Sequence, residues 1–300
     1  MKHVVGISLG SSRRDHSVTV KLMGEECRVE RIGTDGDMQR MIELIRAYDG
    51  KADAIGLGGI DLYIFAIDRR YVLRDAKKLI RAAQQTPIVD GSGLKHILER
   101  RVIEYLVANT DIFKERRKVL LTCAMDRLGM AQALFEAGCD VTLGDFPYIL
   151  NLPIPLKSLK ALARFARILA PIAVQLPFSM LYPTGERQGE NKPRHTRFFL
   201  ENEIIAGDFH FIYRYMPPEL PGKIIITNTV TRDDVQYLKE RGVETLVTTT
   251  PEMEGRSFGT NILEALLIAL AGSGRELSAE EYGRLLDQLQ IRPRIEELQQ

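Results

Sequence analysis

The chain has no tryptophan, three cysteines and a formal net charge of +1, and each shortage closes off a class of protein. Cys27, Cys123 and Cys139 are scattered, with no CxxC spacing. A zinc site or a disulfide framework is therefore not expected, and a reducing cytoplasm is. With 41 basic against 40 acidic residues, the chain has no field to draw in nucleic acid or an acidic membrane. A long hydrophobic run is missing too. The longest apolar stretch, residues 159–182, is interrupted by Lys160, Arg164 and Arg167, which predicts an amphipathic helix followed by a strand rather than a bilayer span. Residues 4–9 are too short for the core of a secretion signal. No repeat or low-complexity tract is present.

What is present is a core. Apolar residues make up 45% and charged residues 27% of 300 positions, the profile of a globular protein long enough for two domains. The first thirty residues read as a β-meander. A helix follows over 38–47, and a short apolar strand over 54–57 ends in Gly58-Gly59-Ile60-Asp61. Strand-like runs over 62–67 and 71–73 lead to a helix over 76–84, which Asp75 is placed to cap. A strand over 87–89 runs into Asp90-Gly91-Ser92-Gly93 and a helix over 94–107.

From residue 118 strands and helices alternate. Strands are expected at 119–123, 141–143, 172–176, 203–206, 223–227 and 245–249. Helices are expected at 128–137, 156–169, 209–215, 232–241 and 260–271. Such alternation implies parallel strands with helical crossovers. The expected fold is α/β: an N-terminal α/β substrate domain (1–115), a doubly wound Rossmann-type cofactor domain (116–272) and a C-terminal segment (273–300). Its helix starts at Ser278 with a capping box to Glu281 and returns to the N-terminal domain. The loop over 177–197 is either a lid or a solvated insertion.

In a doubly wound sheet the ligand sits at the carboxyl ends of the strands, beside the first βα turn. Here that turn is Thr122-Cys123-Ala124-Met125-Asp126-Arg127-Leu128-Gly129. Of the GxGxxG fingerprint only Gly129 stands in place. A pyrophosphate would meet free N–H groups at the helix start, with Asp126 repelling it unless Arg127 compensates. Asp145 ends the next strand, where an acid would hold a ribose hydroxyl and favour NAD over NADP, or would cap a turn. Thr227 and Asn228 end one later strand and Thr249 another, suiting a nicotinamide ribose or substrate, or serving as turn residues.

The layout resembles the shikimate and quinate dehydrogenases, and the likeness to bacterial quinate 5-dehydrogenase-like proteins spans most of the chain. It is carried by Asp90-Gly91-Ser92-Gly93, by Gly56-Leu57-Gly58-Gly59-Ile60-Asp61, by Thr248-Thr249-Thr250-Pro251-Glu252, and by Asn261 before Gly272. The resemblance implies a catalytic Asp at Asp90 and a substrate-binding amide at Asn261. The family's Asn-x-Thr-x-Pro-x-Lys segment and its Ser-x-Ser motif have no counterpart here.

Oxidising a secondary alcohol needs a base while hydride leaves. Asp90 with Lys95 is the candidate pair, with Lys77 and Lys78 as other choices for the lysine. Asp61, Ser92, His210, Arg256 and Asn261 are the candidate substrate residues, Arg256 as a carboxylate clamp. Each of these has an ordinary structural alternative: turn former, surface cation or hydrogen-bonded histidine. No metal is expected. The leading expectation is an NAD(P)-dependent oxidoreductase acting on a small hydroxylated carboxylic acid, with NAD slightly favoured. An S-adenosylmethionine-dependent methyltransferase is the alternative that tolerates the missing glycines, because no pyrophosphate binds. A non-catalytic nucleotide or metabolite sensor is the third. The expected partner is a small molecule, with neither nucleic acid nor membrane, and a homo-oligomer is compatible with all three.

Overall fold

The structure, a computed structural model, describes residues 1–66, 69–177, 190–250, 252–253 and 256–299, with the side chains of residues 66, 252, 253, 256 and 257 outside that description. The chain forms β1 (Lys2–Ser8), β2 (His16–Leu22), β3 (Glu25–Gly33), α1 (Met38–Tyr48) and β4 (Ala54–Gly58). The hairpin β5 (Tyr63–Ala66) and β6 (Arg69–Val72) comes next, then α2 (Ala76–Ile80), β7 (Ile88–Val89) and α3 (Ser92–Asn109). There follow α4 (Ile112–Glu115), β8 (Lys118–Leu121), α5 (Leu128–Glu136), β9 (Asp140–Leu143), α6 (Asp145–Ile149) and α7 (Leu159–Ala173). Beyond these lie α8 (Arg197–Glu201), β10 (Ile204–Ala206), α9 (Phe209–Tyr215), β11 (Ile224–Thr227), α10 (Arg232–Glu240) and β12 (Thr245–Thr248). The chain ends with β13 (Glu252–Met253), β14 (Arg256–Ser257), α11 (Thr260–Ala271), α12 (Ala279–Gln288) and β15 (Arg294–Glu297).

These elements make two compact units. One comprises Met1–Ile97, Ile168–Arg187 and Phe258–Ile291; the other comprises Leu98–Arg167, Gln188–Ser257 and Arg292–Gln300. The division falls within α3.

The first unit has a five-stranded sheet in the order β2-β3-β1-β4-β7. β3, β1, β4 and β7 are parallel, and β2 pairs antiparallel with β3. The expected meander is thus corrected. β1 lies beside β3, not β2, because residues 4–8 of β1 are buried on both faces and so suit the centre of a covered parallel sheet. On one side of the sheet α1 buries Met41, Ile42 and Ile45 against Val5, Ile7, Ile55 and Leu57. Each such aliphatic contributes about 2 kcal/mol of burial. Asp37 starts α1 by accepting the Arg40 N–H at 3.0 Å. The helix after Asp75 is short, and Asp75 makes no side-chain cap bond to it.

α11 also packs on β1 and β4, whereas the sequence assigned it to the cofactor domain. Glycines explain its position. A Cβ on Gly56 would lie 2.6 Å from Asn261 O, and one on Gly6 would overlap the Ile262 side chain. Both strands leave a trough that admits the α11 backbone. α11 is apolar nearly all round and buried from Ile262 to Ala269. α12 begins with the expected capping box: Ser278 Oγ accepts the Glu281 N–H at 3.2 Å, and Glu281 accepts the Ser278 N–H at 2.7 Å.

The second unit has a six-stranded sheet in the order β15-β12-β11-β10-β8-β9. The five strands from β9 to β12 are parallel, and β15 adds an antiparallel edge. In chain order the parallel strands run 2-1-3-4-5, a doubly wound Rossmann-type topology. The α/β expectation is met. The strand expected over 172–176 is not formed: α7 runs on to Ala173 through Pro171, and a turn follows it. The region expected as a lid falls largely outside the described residues.

Candidate functional site

The strand order of the second unit reverses between β8 and β10, and such a reversal opens a crevice at the carboxyl ends of the strands. The segments that meet there are residues 122–127 after β8 and Gly207-Asp208 after β10. Thr122 is fully buried and its hydroxyl donates to Ala206 O at 3.3 Å. Gly207 adopts φ +135°, and a Cβ on it would overlap Thr122 Oγ1, so glycine is required where the two strand ends converge.

Arg127 lies in this crevice rather than on the surface. It is 2% exposed. Its guanidinium is bound by Glu99 of α3 through Nη1 and by Asp208 through Nη2 at 2.8 Å. Asn228 completes the arrangement: its Nδ2 donates to Asp208 Oδ2 at 2.9 Å and its Oδ1 accepts the Phe209 N–H at 3.1 Å. Two buried atoms in this group have no hydrogen-bond partner, Arg127 Nε and Glu99 Oε2. Asp126, its side chain 40% exposed, stands 3.9 Å from Arg127 Nε. One cation is thus surrounded by three carboxylates.

Asp145, expected either on a ribose or as a turn cap, makes the bonds of a turn cap. It is fully buried and accepts the N–H groups of Ala124 at 3.1 Å and Met125 at 2.9 Å. It holds the first βα turn in shape, and burial pushes its pKa up to about 6 against the lowering effect of those N–H groups. Gly129 is buried inside α5. The Thr227 hydroxyl donates to Gly207 O at 2.8 Å, and Thr249 pairs through its backbone with Thr227 O. Thr229 and Thr250 bring their hydroxyls to 3.0 Å of each other at the ends of β11 and β12. His210 is exposed on α9. Arg256 lies in β14, and its side chain is outside the described residues.

In the first unit the structure brings Asp90 and Ser92 together. Asp90 Oδ1 accepts both the N–H of Ser92 at 2.9 Å and its hydroxyl at 2.5 Å, while Oδ2 accepts the Leu62 N–H. Burial, then the nearby Asp61 charge, raises the Asp90 pKa. These bonds hold the turn at the start of α3, the turn-former role that stood beside the expected role of Asp90 as the acid of a Lys–Asp pair. Lys95 stands in the first turn of α3, its N–H bonded to Gly91 O at 2.9 Å. Gly91 lies against Asn261: a Cβ there would sit 2.8 Å from Asn261 N.

Glu99 and Asp208 were missed by sequence reasoning. Asp208 carried a signal, since it follows a strand that ends in glycine. Glu99 carried none, because a glutamate in mid-helix reads as a solvated residue. A recess of about 240 Å³ among Arg116, Glu244, Thr245 and Ile295 opens at the opposite, amino-terminal edge of the sheet. Arg116 and Glu244 pair there at 2.8 Å through both carboxylate oxygens, so the recess already holds matched charge. Among the described residues no group of three or more His, Cys, Asp or Glu side chains is arranged to hold a metal ion. Among the same residues no helix is long and apolar enough to cross a membrane.

No curated protein matches the chain. Several solved structures show distant likeness. A protein from Mycobacterium smegmatis is 12% identical, with a TM-score of 0.38 over 99% of this chain and 91% of that one. The NAD-dependent malic enzyme of Thermotoga maritima is 10% identical, with a TM-score of 0.35 over 96% and 84%. A galactofuranose binding protein is 14% identical, with a TM-score of 0.37 over 96% and 98%. Scores this low say nothing of what the chain binds. Two family models match: domain of unknown function DUF8753 over residues 3–90 and domain of unknown function DUF8754 over residues 93–298. With more than half of its length inside the second model, the chain belongs to the DUF8754 family.

Proposed function

We propose that the chain is a Rossmann-type enzyme whose second unit binds a nucleoside-bearing cofactor without a pyrophosphate, of the S-adenosylmethionine kind. The observation that carries this reading is the Arg127 guanidinium held between Glu99 and Asp208 in the first βα turn. A dinucleotide lays its pyrophosphate at this turn, on free N–H groups. Here the cation of the turn, Arg127, is already held by two carboxylates. The balance favours a cofactor bearing net positive charge over NAD and more strongly over NADP. S-adenosylmethionine supplies a sulfonium and an ammonium against one carboxylate. The absence of the first two fingerprint glycines fits the same choice, since no phosphate needs to approach the backbone. With such a cofactor bound, the supplied chemistry is transfer of a methyl group.

A second reading is the NAD-dependent oxidoreductase acting on a hydroxylated carboxylic acid. It is supported by the paired hydroxyls of Thr229 and Thr250 at the strand ends and by the sequence resemblance around Asp90. Thermal unfolding of the full chain with S-adenosylmethionine, NAD or NADP separates the two. A ligand at a hundred times its Kd raises stability by about 2.7 kcal/mol. A rise with S-adenosylmethionine alone supports the first reading, and a rise with NAD alone transfers support to the second.

A further inference from the structure

The outer edges of the two main sheets are not alike. β7 is two residues long. β9 is four residues long, and Leu143 at its end exchanges backbone bonds with Leu156 at 2.9 and 3.1 Å. β15 is four residues long and carries charge at Arg294, Glu296 and Glu297. Shortness, cover and charge are ordinary means of keeping a sheet edge from pairing with another chain. β2 of the first unit is built otherwise. It is seven residues long, from His16 to Leu22, and its seven pairs with β3 run without a bulge. It holds no proline, and Lys21 is its one permanent charge. Among the described residues it pairs with β3 alone.

We propose that β2 is an interface with a second copy of the chain, pairing antiparallel with β2 of that copy about a two-fold axis at Thr19. The turn after β2 fixes which backbone groups face outward. Met23 at φ +52° and Gly24 at φ +83° form a two-residue hairpin turn, whose closing pair Leu22–Glu25 exchanges both backbone bonds. Every second residue back from Leu22 also turns its N–H and C=O toward β3: Val20, Val18 and His16. The N–H and C=O of Ser17, Thr19 and Lys21 therefore point away from the sheet, and these three residues are exposed. An axis at Thr19 sets Thr19 opposite itself and Ser17 opposite Lys21. In that register the outward groups of both copies exchange about six backbone bonds. On the other face Val18 stands opposite Val20, which extends the cross-strand pairs Val18–Val29 and Val20–Cys27. Val29 and Cys27 are buried, so the apolar row continues outward from the core. The lysines face serines, and no like charges are opposed. Such an edge is its own complement, so the two copies meet through one and the same strand.

The test is sedimentation velocity of the full chain at low salt, from about 1 to about 100 μM, the range suited to a small edge-to-edge interface. Thr19→Pro removes an outward N–H and no bond to β3, a position where an edge strand accepts proline. Thr19→Lys sets like charges opposite each other, with Lys21 beside them. Circular dichroism establishes that each variant is folded, and the lysine variant decides should the proline variant not be. The unaltered chain is expected to form a dimer, and each variant to associate about tenfold more weakly. An equal mixture of Thr19→Lys and Thr19→Glu chains is expected to recover the dimer, because lysine then faces glutamate. An unaltered chain that stays monomeric throughout overturns the inference, and so does a dimer that the folded variants leave intact. A Thr19→Lys chain that associates no better with Thr19→Glu than with itself overturns the pairing about Thr19.

Discussion

Tyr282 of α12 donates its phenolic hydrogen to Glu264 Oε1 of α11 at 2.7 Å. Glu264 is 0% exposed. Burial, then the Asp90 charge, raises its pKa to about 8, and the Tyr282 bond lowers it only in part. Glu276 adds to the raising, and itself accepts from Arg70 Nη1 at 2.7 and 2.9 Å. A carboxyl with a folded pKa above its unfolded value contributes stability that is full below the unfolded pKa, around 4.5. That contribution is lost as pH rises through the folded value.

The Glu264→Gln variant follows from this sign. Glutamine cannot ionise and still accepts from Tyr282. Across the window from about pH 5 to about pH 9, the unaltered chain is expected to lose stability relative to the variant, by on the order of 3 kcal/mol. Denaturant unfolding at both pH values measures it. Parallel pH profiles for the two proteins would show that Glu264 is not the titrating group.

Asp145→Ala tests the turn-capping role of that residue. It strands the N–H groups of Ala124 and Met125, at about 1–3 kcal/mol for each buried unsatisfied group. The expected outcome is a destabilisation of about 2–4 kcal/mol in the absence of any ligand. A purely ribose-binding residue would leave the unliganded chain unchanged.

Gly56→Ala tests the seat of α11. The added methyl would meet Asn261 O at 2.6 Å, and such overpacking typically costs about 1–3 kcal/mol. Gly36 serves as the contrast. It has φ +88° and open space around it, so Gly36→Ala pays only the left-handed backbone term of about 1 kcal/mol. Equal unfolding midpoints for the two variants would contradict the close approach of α11 to β4.

The placement of α11 also marks where sequence reading stops. Alternation made the parallel strands of the second unit legible, because short runs such as Ile224–Thr227 are buried on both faces. Chain order then assigned α11 to the nearest sheet. The contrary signal was present in Gly6, Gly56 and Gly58, since glycines within strands mark close backbone approach. The apolar residues around Pro171 read as a strand because a proline usually ends a helix. Here it stands in the last turn of α7, where it disturbs little. At the site, the polar strand ends were legible as residue types, but their partners were not. Asp145 reads the same whether it faces ribose or the N–H groups of its own turn. The pairing of Arg127 with Glu99 joins positions 28 residues apart, and nothing in the local pattern encodes it.

The central claim is that the turn after β8 receives a cofactor without a pyrophosphate. Hydrogen–deuterium exchange of the full chain, with mass-spectrometric readout of peptides covering residues 122–131 and 207–210, tests it most directly. Saturating S-adenosylmethionine is expected to protect both peptides, and NAD at the same concentration to leave them unchanged. Protection of these peptides by NAD, with none from S-adenosylmethionine, would contradict the account.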